Sequence, residues 1–223
     1  MLSTLAPAIM LGAYLIGSFP SGYIVGRIKG VDLRKEGSGN IGATNALRVL
    51  GKKWGYLVFA ADILKGWLSV KLGYALAYRF APDHLVALGV VAALFSVLGH
   101  IFPVWLGFKG GKGIATSAGI MIALFPIWVF LCGLVVWVMI FYTTRYVSVA
   151  SIFAAISLSV STAILAYIGK LTNSPNGSKG DWLLVVVAVI MSILAVWRHK
   201  SNIERLFAGK EKKFERRHSS SVS

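Results

Sequence analysis

The sequence predicts an all-α integral membrane protein of seven transmembrane helices, with its N-terminus outside and its C-terminus cytoplasmic. Three observations carry that reading. Hydrophobic residues make up 57% of the 223-residue chain, and the mean hydropathy of +0.73 is too high for an ordinary soluble domain. Apolar runs long enough to cross a bilayer recur along the whole length. The net charge of +15 sits between those runs and in the tail. That is the pattern of the positive-inside rule, not of a face that reads nucleic acid.

The first run, about 4–25, opens on "MLSTLAPAIM" without a positive n-region and is too long for a signal peptide. The loop after it carries Arg27, Lys29, Arg34, Lys35, Arg48, Lys52 and Lys53, which assigns it to the cytoplasm. Runs at about 55–78 and 84–104 are the second and third spans. Asp62 and Lys65 lie inside the second, where each charge costs roughly 2.5–3.5 kcal/mol. Their i,i+3 spacing lets them pair. The fourth run, about 114–143, is too long for one untilted crossing and holds Pro126 in its middle. Runs at about 147–168 and 181–197 complete the set.

Charge decides how the fourth run is counted. From Arg198 onward the tail holds eight Lys or Arg residues against Glu204, Glu211 and Glu215, so it is cytoplasmic too. An outside N-terminus and an inside C-terminus require an odd number of crossings. Splitting the long run near Pro126 into about 114–125 and 127–143 gives seven. The first of these pieces rises only about 18 Å and does not cross a core of about 30 Å unaided. Residues 1–210 then form the polytopic domain, and 211–223 a basic, disordered tail at the anionic lipid surface. The single cysteine, Cys132, lies in an apolar run, which excludes a disulfide framework and a cysteine metal site.

With this topology the unusual polar stretches all gather on the cytoplasmic face. In "KEGSGNIGATNALRVLGKKWG" (35–55), glycines at 37, 39 and 42 permit backbone conformations in which successive N–H groups face one anion. Arg48 can grip a phosphate bidentately, Thr44 and Asn45 share its helix face, and Ser38 and Asn40 add short hydrogen bonds. In "GFKGGKGIATSAG" (107–119) the Walker A pattern fails, because Leu106 replaces its first glycine and Gly113 its Ser/Thr. What remains is "KGGKG", a backbone that admits an anion closely, with Lys112 as point charge. His100, just upstream, is placed to orient that loop or to serve chemistry. In "WRHKSNIERLFAGKE" (197–211), His199 and Asn202 extend the apolar stripe of Ile203, Leu206 and Phe207. Polar groups aimed inward need partners, so this pair outranks the surface lysines. "RYVSVAS" (145–151) adds Arg145, Ser148 and Ser151 at the start of a helix.

Together, "GSGNIGATNALR", "DILKG", "GHIFPVWLGFKGGKGIAT", "RYVSVAS" and "HKSNIERLFAGKE" resemble the PlsY family of bacterial membrane acyltransferases. The likeness covers nearly the whole chain in the right order. It implies acyl transfer from acyl phosphate to glycerol 3-phosphate, giving 1-acyl-glycerol 3-phosphate (lysophosphatidic acid) and phosphate, the first acylation of phospholipid synthesis. It implies an active site near the cytoplasmic face of the bacterial inner membrane. Ser38, Lys112, His199 and Asn202 would be the catalytic residues, holding glycerol 3-phosphate with Arg48. Asn40, Thr44, Asn45, His100, Gly110, Gly111, Gly113, Ser148 and Ser151 would complete the substrate contacts. Ile41 stands where some relatives carry proline, a difference in loop stiffness only.

The chemistry agrees with the likeness. Two phosphorylated substrates need two cationic or amide-lined pockets, and the acyl chain needs an apolar route from the bilayer. Acyl phosphate is already activated, so positioning and oxyanion stabilisation suffice, without cofactor or metal. The expected partners are the two substrates, the bilayer and the soluble enzyme that makes acyl phosphate, with no nucleic acid. The His-x4-Asp pattern of thioester-using glycerolipid acyltransferases is absent. The alternative reading is a transporter or flippase of a phosphorylated solute or lipid, which would want polar groups at the bilayer midplane and two related halves. Only Asp62 and Lys65 lie deep, and no halves are visible.

Overall fold

The computed structural model describes residues 2–171 and 179–214. Regular structure among them is helical throughout. The first apolar run is broken into α1 (Leu2–Ser18) and α2 (Ser21–Ile28) at Phe19-Pro20, where proline removes a backbone donor. A glycine-rich loop leads to α3 (Ala43–Leu50), whose amphipathic turns end at Gly51. Gly51 adopts φ +92°, open to glycine but costly for other residues, and so turns the chain directly into α4 (Lys52–Phe80). Next come α5 (Leu85–Ile101), α6 (Ile114–Leu124) and α7 (Ile127–Thr144), the last two parted at Pro126 as the sequence predicts. Arg145, at φ +63°, turns α7 into α8 (Val147–Tyr167). The last two helices are α9 (Lys179–Arg198) and α10 (Lys200–Phe207).

Among the described residues, five stretches are long and apolar enough to cross a membrane: Leu2–Ile28, Pro82–Leu106, Ile127–Thr144, Val147–Tyr167 and Asp181–Arg198. Two expected spans differ from these. The 29-residue α4 carries Asp62, Lys65, Lys71 and Arg79 along its length, and α6 has only 11 residues.

Helices meet through small residues. A Cβ on Gly17 would overlap the carbonyl of Ser96, and one on Gly99 that of Tyr14, so α1 and α5 lie backbone to backbone. Gly66 and Gly119 do the same for α4 and α6, against the carbonyls of Thr116 and Ile63. Val70, Val97, Ile101, Ile120, Val129, Leu158 and Val187 fill the main core between α4, α5, α6, α7, α8 and α9. By contrast α7 leaves Trp128, Val135, Met139 and Tyr142 exposed, a greasy outer surface suited to lipid.

The first residues beyond the expected boundary at 210 are ordered against the helices. Glu211 to Phe214 fold back onto the bundle: the Phe214 amide donates to the carbonyl of Arg145 at 2.8 Å, and its ring meets Phe141 edge-on at 5.6 Å. Expectations for 215–223 lie outside the described residues.

Candidate active site

Four segments far apart in sequence meet here through polar groups. Lys112, from the loop before α6, donates its ammonium to Oδ1 of Asn202 on α10. Nδ2 of Asn202 donates to Oε1 of Glu211 at 2.6 Å. Ser148, in the first turn of α8, donates to the same oxygen at 2.8 Å. Nε of Arg205 donates to Oε2 at 2.8 Å. Arg48, from α3, donates to the carbonyl of Lys212 at 3.1 Å. Arg48, Arg198 and Arg205 all repel the Lys112 ammonium, and Glu211 alone attracts it. Four cations against one carboxylate leave a strongly anion-seeking site.

The ionisation states follow from burial. Burial pushes Lys112 down to about 8, Glu211 opposing and the three arginines adding to the shift. Lys112 still carries its proton at neutral pH. Burial and then the Lys112 charge push His199 down to about 4, so its ring is neutral there. Its Nδ1 lies 2.7 Å from the carbonyl of Ala195. The neutral ring must donate from Nδ1, which leaves Nε2 as an acceptor. Burial works to raise the Glu211 carboxyl, but hydrogen bonds from Asn202, Arg205 and Ser148 outweigh it and hold it below the usual range.

The glycine loop differs from the expected cradle. The Gly110 amide donates to the carbonyl of Ile101 at 3.0 Å and the Gly111 amide to that of His100 at 3.2 Å. Both are spent on the C-terminal carbonyls of α5. Their own carbonyls accept from the Arg198 guanidinium at 3.1–3.2 Å. The loop is a docked strap, not an open nest. Gly113, in the left-handed region at φ +85°, then opens α6 without a side-chain cap. The first helical amide with a partner is that of Ser117, so the uncapped end beside Lys112 is what the loop offers an anion.

Arg48, Lys112, Ser148, His199 and Asn202 are thus brought together, with Gly110, Gly111 and Gly113 flanking Lys112; the other expected residues make different contacts. Asn45 is fully committed to folding the first loop, donating to the carbonyls of Leu33 and Glu36 and accepting from the Ser38 amide at 2.8 Å. Asn40 accepts from the Gly42 amide at 2.7 Å, an Asx turn. Both side chains hold the first loop in shape. Ser38 is exposed on that loop and Thr44 half-buried at the start of α3, and no hydrogen bond ties either side chain to the cluster. Ser151 accepts from the Trp137 indole at 3.2 Å, a packing contact. His100 lies behind the strap, against Gly111 and Asp62.

Glu211, Arg198 and Arg205 were missed. Glu211 follows a helix-stopping glycine, and it reads as the first residue of a solvated tail. Only Gly209, at φ +66°, hints that the chain reverses there. Between α8 and α9 an apolar groove of about 380 Å³ is lined by Ile156, Ser192, Ile193, Val196 and Trp197. Its last lining residue, Trp197, directly precedes Arg198 and His199 in the chain.

Comparison with known proteins bears on the whole arrangement. Residues 7–209 match the family model described as glycerol-3-phosphate acyltransferase. A glycerol-3-phosphate acyltransferase of Synechococcus elongatus is 44% identical, over 92% of each chain. One from Aquifex aeolicus is 41% identical over 92% of this chain and 97% of its own. The crystal structure of PlsY, an integral membrane glycerol 3-phosphate acyltransferase, in its glycerol 3-phosphate form superposes with a TM-score of 0.80. It is 39% identical, covering 94% of this chain and 96% of that one. The lysophosphatidic acid form gives 0.78 at 38% identity, over 94% and 95%. The chain is therefore a multi-pass integral membrane enzyme, and it belongs to the glycerol-3-phosphate acyltransferase family.

Proposed function

We propose that this protein transfers an acyl group from acyl phosphate to the 1-hydroxyl of glycerol 3-phosphate, releasing lysophosphatidic acid and inorganic phosphate. The observation that carries the reading is the convergence of four cations on one carboxylate, next along the chain from a helix whose Trp197 lines an apolar groove. Arg48 and Lys112 take the glycerol 3-phosphate dianion, with His199 and Asn202 beside it, and Ser38 closes over it from the first loop. Ser148 and the uncapped start of α6 face the donor phosphate, whose acyl chain lies in the groove. In the reaction the acceptor oxygen attacks the acyl carbon, the carbon–oxygen bond to phosphate breaks, and the departing phosphate takes the hydroxyl proton. A histidine held near 4 is a weak base at neutral pH, which supports the phosphate in that role. His199→Ala is accordingly expected to raise KM for glycerol 3-phosphate more than it lowers kcat.

The same reading makes α4 and α6 membrane elements beside the five long apolar ones. That gives seven crossings of the bacterial cytoplasmic membrane, with the N-terminus outside and the site at the cytoplasmic face. The activity is tested by incubating purified protein with acyl phosphate and radiolabelled glycerol 3-phosphate, without nucleotide or metal, and extracting the lipid. Labelled lysophosphatidic acid is expected, and equal turnover with acyl-CoA would overturn the choice of donor. The topology is tested with single cysteines at Lys53 and Lys109, which should react with an impermeant reagent from the same side.

A further inference from the structure

One buried polar cluster takes no part in the chemistry described so far. Asp62 and Lys65, 2% and 6% exposed, form an ion pair of 2.8 Å inside α4. The Asp62 carboxylate also accepts from Ser21 at 2.6 Å. The Lys65 ammonium donates to the carbonyl of Phe19 at 3.0 Å. Both partners sit at the break between α1 and α2, so the pair fastens that break to α4. His100, at the last turn of α5, closes the third side. Its Nδ1 is 3.8 Å from Asp62, is buried, and has no hydrogen-bond partner. The opposite edge of the ring abuts the site loop: a Cβ on Gly111 would collide with Nε2.

A buried ion pair is a poor source of stability, because desolvation offsets most of the attraction. Its retention beside a site points to geometry. The strap at Gly110 and Gly111 is held from above by Arg198 and at its ends by the carbonyls of Ile101 and His100. From below, the three atoms nearest a Cβ at Gly111 all belong to the His100 ring, while Pro103 and the α5 carbonyls stand against Gly110. Lys112 is the next residue.

We propose that Asp62, Lys65 and His100 form a positioning unit that fixes the height of the Gly110–Gly111 strap and thereby aims Lys112 at the acceptor phosphate. These are positioning residues: none of them reaches the anion cluster, and they act through backbone. The inference rests on the proposed acyl transfer, whose failure would show as a wild-type protein inactive with acyl phosphate.

With wild-type turnover established, three variants test the unit. Asp62→Asn/Lys65→Gln removes both charges together, His100→Gln leaves the ion pair whole, and the triple variant combines them. Each is measured for its thermal midpoint in detergent, for kcat and KM against glycerol 3-phosphate, and for the rate at which an amine reagent labels Lys112. The expected result is a folded protein whose kcat/KM falls at least about tenfold and whose Lys112 labels faster. The triple variant should be no worse than the more impaired of its two parents, because all three changes release one strap. Wild-type kcat/KM and labelling in folded His100→Gln overturn the proposal. So do effects that multiply in the triple variant. Loss of folded protein in the charge-free variant, with His100→Gln unimpaired, overturns it too and leaves the ion pair a stability element.

Discussion

Asn202 shows how one carboxylate can organise a site it does not belong to chemically. Its amide has two ends, and Glu211 takes the donor end while Lys112 occupies the acceptor end. Replacing Glu211 by alanine strands Asn202, Ser148 and Arg205 at once, where each charge-assisted bond contributes about 1.5–3 kcal/mol. Initial rates should show kcat/KM for glycerol 3-phosphate reduced about 10- to 100-fold in Glu211→Ala, and much less in Glu211→Gln, which keeps an acceptor. His199 yields a pH prediction. Folded, it titrates near 4, against 6.5 unfolded. Between those values the unfolded chain binds the proton and the folded chain does not. Stability is therefore intact above 6.5 and falls as pH drops towards 4, by about 3 kcal/mol in full. Thermal midpoints recorded against pH should fall in that window for the parent and stay flatter for His199→Gln. At this scale Arg48, Lys112, His199 and Asn202 were legible because each stands in a stretch whose polarity has no other use. Asn45 was not, since spacing alone cannot tell a side chain that folds its own loop from one that reaches out.

Among the elements, the α4–α6 contact fixes the depth of the site. Gly66 and Gly119 let the two backbones touch, so α6, only 11 residues long, is held with its start beside Lys112. A leucine at Gly119 would drive a side chain into the carbonyl of Ile63. The expected cost is at least the 1–3 kcal/mol or so typical of overpacking, read as a lowered thermal midpoint and a loss of activity in whatever protein remains folded. The break at Pro126, the long helix after the basic loop and the bounds of the last two spans all followed from apolar run length and proline position. The role of the KGGKG stretch did not. Glycine permits both a nest and a docked strap, and the choice is made by α5 carbonyls and Arg198, which no local pattern announces.

At the level of the whole molecule, the tail closes the structure. Residues 211–214 join α10 to the α7–α8 corner through Glu211 and Phe214, and to α3 through the Lys212 carbonyl, which accepts from Arg48. Composition marks this stretch as a solvated basic run, and a truncation after Gly209 would be expected on that basis to leave an enzyme largely active. The contacts reverse the expectation: cutting after Gly209 should abolish most turnover, whereas cutting after Phe214 should spare it. Activity of the two truncations at matched protein levels separates the outcomes. Long-range contacts of this kind lie beyond hydropathy and charge counting, which see what a segment is made of and not what it lands on.

The groove between α8 and α9 is lined almost wholly by apolar side chains of two helices long and apolar enough to cross a membrane, so it suits an acyl chain arriving from lipid. A donor entering along it is encountered in two dimensions, and its effective concentration is a mole fraction within the lipid sheet. Turnover should then decline when vesicles are enlarged with inert lipid at constant total donor. The acceptor, arriving from the aqueous side, should saturate as any dissolved solute does. The enzyme would work as a port between two phases, taking one reactant from each.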